Sequence, residues 1–159
     1  MKALQALYRI AEQEHIVVDR FALSSREALS IMDTEGNCFI AIDPGKIINE
    51  TDERSKLAHE LGHCVTGAFY NRYSDYDCRQ KHENTADKWA VRELVTVDEL
   101  DEAVAGGCTE IWELAERFGI TEPLMRKAVC LYVHGNPLLL CSFYSPVDKK
   151  ATPTDDRWV

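Results

Sequence analysis

The run His59-Glu60-Leu61-Gly62-His63 restricts what this chain can become more than any other feature in it. An H-E-x-x-H pattern has chemical meaning on an α-helix, where residues four apart share a face and two imidazoles can reach one Zn²⁺ at about 2.0–2.1 Å. Glu60 is displaced around such a helix, near enough to touch a water at the metal without taking a coordination site. The flanking residues favour that helix. Asn49-Glu50-Thr51-Asp52 offers an N-cap and early acidic residues, so a helix is predicted to run to about Thr66. Leu57, Leu61, Cys64 and Ala68 supply an apolar stripe to anchor it in a core.

A catalytic zinc needs a third protein ligand and an open fourth position. Twenty residues beyond His63 comes Glu83-Asn84-Thr85-Ala86-Asp87, inside a second helix predicted over 81–94. Glu83 and Asp87 stand at i and i+4 on one face. Glu83 can offer a carboxylate oxygen as third ligand, while Asp87 can accept the remaining ring N–H of a ligating histidine and so fix its tautomer. Zinc held by two neutral imidazoles and one carboxylate keeps a net positive charge and lowers the pKa of a water towards about 7. Glu60 is then the general base, taking the proton and passing it to a leaving amine. No Ser or Cys stands in a recognisable triad or elbow. The donor for the developing oxyanion is left open among Tyr70, Tyr73 and Tyr76 in a loop expected over 67–80, His82 beside the third ligand, and His134. Tyrosines in polar loops also serve as packing residues, and His134 before Gly135-Asn136 suits a helix end.

The remaining pattern predicts an α+β fold: a small antiparallel sheet plus active-site helices, followed by a helical C-terminal subdomain. Leu4, Leu7, Tyr8 and Ala11 trace an opening amphipathic helix over 2–14. Three β-prone runs follow at 15–21, 28–32 and 38–42, the last two separated by the turn formers Asp33-Thr34-Glu35-Gly36-Asn37. Shorter helices are predicted over 97–105, 109–118 and 122–133. The expected organisation is a metallopeptidase core over 1–95, a helical, helix-turn-helix-like subdomain packed on it over 96–135, and an extension over 136–159. That extension holds an apolar run, 137–144, and a polar end expected to be poorly ordered.

Charge and cysteine usage exclude several classes. A net charge of −9 repels phosphates over most of the surface, and no dense basic patch offsets it. The stretch 111–129 has a helix-turn-helix cadence, with Ala115, Gly119 and Val129 at packing and turn positions. Yet Glu122 and Pro123 occupy the start of its second helix, and Glu110, Glu113 and Glu116 make the first acidic. A packed helical subdomain without direct nucleic acid binding is therefore expected. The six cysteines include no C-x-x-C pair and read as reduced thiols. No segment approaches the roughly 20 apolar residues of a membrane span. Arg9, Glu12 and Glu14 fall where a signal peptide would need an apolar stretch, so a cytoplasmic protein is expected.

The strings Leu57-Ala58-His59-Glu60-Leu61-Gly62-His63 and His82-Glu83-Asn84-Thr85-Ala86-Asp87-Lys88-Trp89-Ala90 resemble the two core motifs of the ImmA/IrrE-type metallopeptidases, bacterial proteins common on prophages and other mobile elements. The resemblance is specific over residues 50–95 and continues more loosely through Tyr132, as in short phage-encoded members. It implies a reduced gluzincin-like fold, a Zn²⁺ cofactor, and endopeptidase cleavage of a helix-turn-helix repressor as protein partner. Proteins read as toxins and as stress regulators also resemble this family. The competing expectation is a non-catalytic zinc-fold protein that docks a repressor or other partner stoichiometrically. Glu60 favours the enzyme, because metal binding alone requires only the ligands.

Overall fold

The computed structural model describes residues 4–71 and 73–135. The order is α1 (Leu4–Gln13), β1 (Val17–Arg20), β2 (Ala28–Met32), β3 (Cys38–Ile42), α2 (Glu50–Thr66), α3 (Tyr76–Leu94), α4 (Val97–Ala105), α5 (Ile111–Phe118) and α6 (Glu122–His134). It is the α+β arrangement expected from the alternation of β-prone and helical segments. The extension expected over 136–159, with its apolar run, lies outside the described residues.

β2 and β3 form the antiparallel hairpin that the turn formers predict, and the side chain of Asp33 accepts the backbone N–H groups of Glu35 and Asn37 at 2.9 and 2.8 Å. Gly36 takes φ 89° there, a conformation that other residues rarely adopt. The expectation of a wholly antiparallel sheet is corrected at β1. β3 lies in the middle, and β1 pairs with it in parallel, Val17 opposite Phe39 through Arg20 opposite Ile42. The segment 21–27 carries the chain past β3 to the far edge, which strand propensity cannot encode because it is silent about partners. Ile40 and Ile42 are buried, whereas Phe39 on the alternate face is partly exposed.

α2 is the axis of the molecule. Asn49 caps it by accepting from the Asp52 N–H at 2.9 Å, and Gly67 ends it at φ 66°. Leu57, Ala58 and Leu61 are fully buried, and α1, the sheet and α3 all pack against this helix. α3 begins at Tyr76 rather than at 81, five residues earlier than predicted. Its first turns bury nothing, and Tyr76 is 74% exposed, so no apolar period marks them as helical.

The helices from α4 onward are joined to the same core, since Leu114, Phe118, Ile120 and Met125 pack in one cluster with Leu57 and Leu61. Arg54, buried on α2, donates through Nη1 to the Phe118 and Gly119 carbonyls at 2.7 and 3.2 Å, gripping the end of α5. Ser55 Oγ accepts the Thr121 N–H at 2.9 Å just before α6. α6 then lies against α3, close behind the residues of interest. Among the described residues no helix is long and apolar enough to cross a membrane.

Candidate metal centre

The third and fourth turns of α2 carry both histidines towards α3, and Glu83 meets them from that helix. His59, His63 and Glu83 each offer one ligand atom, and these atoms lie within 4.8 Å of one another. Their contacts direct the right atoms inward. His59 Nδ1 is 3.0 Å from Asp87 Oδ1, which leaves Nε2 free to face Glu83 Oε2 at 3.1 Å. His63 Nδ1 is 2.6 Å from the Ala68 carbonyl, so its Nε2 also turns inward, 3.1 Å from His59 Nε2 and 3.5 Å from Glu83 Oε1. The two rings stand nearly perpendicular, at 86°.

These separations test whether a metal fits. Donors about 2.0–2.2 Å from a tetrahedral ion lie roughly 3.3–3.6 Å apart, so the edges of 3.1, 3.1 and 3.5 Å need only small adjustments. Two imidazole nitrogens and one carboxylate, each oriented from behind by a hydrogen bond, form a donor set that fits a divalent metal ion.

The electrostatics agree. Burial opposes a proton on His59, but the carboxylates of Asp87 and Glu83 outweigh it and push the imidazole pKa up to about 10. Burial works against ionised Glu83 as well, yet hydrogen bonds from His59, His63 and Tyr70 hold it well below the usual carboxylate range. The two carboxylates therefore favour positive charge at this position, and a metal bound through His59 Nε2 would take the place of a proton there.

Glu60, next to His59 on α2, is not one of the three donors and turns its carboxylate towards the sheet. Its Oε2 accepts a hydrogen bond of 2.6 Å from Ser30 Oγ on the edge strand β2. Of the candidate oxyanion donors, Tyr70 is placed on the cluster, its hydroxyl donating to Glu83 Oε1 at 2.5 Å. Burial and the Glu83 carboxylate push that phenol up to about 12, so it remains a donor at any ordinary pH. The His82 ring lies 6.3 Å from the Tyr70 ring, behind it. Tyr73 and Tyr76 stand largely in solvent at 78% and 74% exposure, and His134 is exposed at the end of α6.

Two contributors escape the sequence pattern. Ser30 is thirty residues from Glu60, and Lys127, whose Nζ is 2.7 Å from Asp87 Oδ2, is forty residues from its partner. A signal for Ser30 does exist: it is the polar residue within Ala28-Leu29-Ser30-Ile31-Met32, on the same face as buried Ala28. Nothing local distinguishes Lys127 from other lysines.

An H-E-x-x-H helix crossed by a second helix that returns a carboxylate to both imidazoles defines a metallopeptidase-type domain. The family model for the IrrE N-terminal-like domain, Peptidase M78, matches residues 12–129, well over half of the chain, and the chain belongs to this family. The match extends from α1 into α6, beyond the motif-rich stretch that carried the resemblance. No curated protein matches the chain.

Proposed function

We propose that this protein is a zinc-dependent endopeptidase of the cytoplasm that cleaves a specific helix-turn-helix repressor of a prophage or mobile element. The observation that carries the enzymatic part is Glu60, held by Ser30 beside a three-donor site in which it is not itself a donor. His59, His63 and Glu83 would hold the ion, which supplies Lewis acidity for a peptide carbonyl and for a water when bound. Glu60 accepts a proton from the attacking water and returns it to the leaving nitrogen. Ser30 keeps the carboxylate of Glu60 in one orientation between α2 and β2. Tyr70 gives its one O–H to Glu83 Oε1 and would serve the oxygen on which charge develops only by exchanging that partner, a donor of this kind being worth about 3–4 kcal/mol.

The metal reading has a direct check. The purified protein is expected to hold about one zinc per chain with nitrogen and oxygen ligands alone, and X-ray absorption measures this. A zinc–sulfur distance of about 2.3 Å would place Cys64 or Cys78 on the metal and remove Glu83 from it.

The substrate reading is supported by the family and by charge. A net charge of −9 suits a basic DNA-binding partner, because opposite charges steer encounter and exclude acidic competitors. Docking energy then comes from surfaces remote from the metal, so a short peptide spanning the cleavage site is a much poorer substrate than the intact repressor. The test incubates zinc-loaded protein with a repressor encoded beside it, with casein, and with the matching peptide, using Glu60→Gln as control. Repressor cleavage well ahead of the other two is expected. Rapid casein cleavage without preference would overturn the specificity, and repressor release without proteolysis would favour stoichiometric docking.

A further inference from the structure

We infer that Lys127 is a positioning residue of the metal centre, acting on ligand His59 through Asp87, so that helix α6 is a working part of the site. The inference rests on the metal-binding reading of His59, His63 and Glu83. Asp87 is 2% exposed, and both its oxygens are committed: Oδ1 to His59 Nδ1 at 3.0 Å and Oδ2 to Lys127 Nζ at 2.7 Å. A carboxylate gripped at one oxygen alone can rotate about its last bond. Gripped at both, it has one orientation, and the imidazole that leans on it inherits that orientation. The lysine arrives from a different part of the fold, since Asp87 lies on α3 and Lys127 on α6. Its stem reaches in from solvent, the side chain being 38% exposed, and its charge lies against a carboxylate that has almost no water to solvate it.

The arrangement gives α6 a purpose beyond packing. Met125, Ala128 and Val129 bury the helix in the core, and Lys127 between them is turned to Asp87. A displacement of α6 larger than the lysine stem can follow would draw the ammonium away from Asp87 and free its Oδ2, which connects the helical C-terminal half to His59.

The experiment measures Co²⁺ and Zn²⁺ affinity by competition with a chromophoric chelator, together with the visible absorption of the Co²⁺ form. It compares wild type, Lys127→Met, Lys127→Arg and Asp87→Ala, and records the melting temperature of each without metal. Lys127→Met keeps the stem and removes the charge. It is expected to weaken both metals about tenfold and to alter the Co²⁺ spectrum, as loss of an outer hydrogen-bonding partner does elsewhere. Lys127→Arg is expected to stay within about threefold of wild type, and Asp87→Ala to lose at least as much as Lys127→Met. Lys127→Met leaves buried Asp87 without its ammonium partner and should melt below Lys127→Arg, so affinities are compared at a temperature where every variant is fully folded. Affinity in Lys127→Met within twofold of wild type, or an equal loss in Lys127→Arg, would overturn the inference. Failure of the wild-type protein to bind either metal would instead remove the reading beneath it.

Discussion

Glu60→Gln is expected to lower peptidase turnover by about 10²–10⁴-fold while leaving fold and metal content as they are. Glutamine has nearly the same shape and still offers an oxygen to Ser30 Oγ, so the contact between α2 and β2 survives. Its amide cannot take a proton from water or return one to a leaving amine. The three metal donors are untouched, because Glu60 is not among them. His59→Ala or Glu83→Ala, by contrast, removes a donor, and activity should fall together with metal content. Elemental analysis and turnover on the same preparations separate the two cases. Wild-type cleavage by Glu60→Gln would mean that another group moves the proton.

The contrast between these variants shows why one half of the site could be read from the chain and the other could not. His59 and His63, or Glu83 and Asp87, are four residues apart, and helical periodicity alone puts each pair on one face. Even the juxtaposition of the two pairs is implied, because a metal demands more donors than one helix turn supplies. The same logic identified Asp87 as a partner for a histidine, and the fold assigns it to His59. Ser30 and Lys127 carry no such demand. Each reaches its partner through tertiary packing, across thirty and forty residues, and a serine in a strand or a lysine on a helix has many ordinary reasons to be there. The parallel pairing of β1 was hidden for a related reason. Val17-Val18-Asp19-Arg20 is strand-like beside any neighbour, and the choice of β3 is made by the path of 21–27.

Gly62→Ala is expected to destabilise the protein and weaken its metal binding at least tenfold, against what helix propensity alone would say. In an open helix alanine is favoured over glycine by about 1 kcal/mol. At Gly62, however, an added Cβ would stand 2.5 Å from the Ala86 carbonyl oxygen and 2.9 Å from its Cα. Those atoms are backbone in the middle of α3 and cannot swing aside, so the two helices must separate. Overpacking costs about 1–3 kcal/mol, and a contact against backbone that cannot yield falls in the upper part of that range, above the propensity gain. The crossing is also one turn from the metal donors on both sides: His59 precedes Gly62 by three residues, and Glu83 precedes Ala86 by three. Moving the helices apart lengthens the 3.1 Å edge between His59 Nε2 and Glu83 Oε2 in the same motion. A net loss of up to about 2 kcal/mol corresponds to a fall in melting temperature of up to roughly 8 °C for a chain of this size, measurable without metal. Metal competition on the folded variant then reports the opened site. If Gly62→Ala instead melted higher than wild type and bound metal equally well, the close approach of α2 and α3 would not be what sets the spacing of the donors.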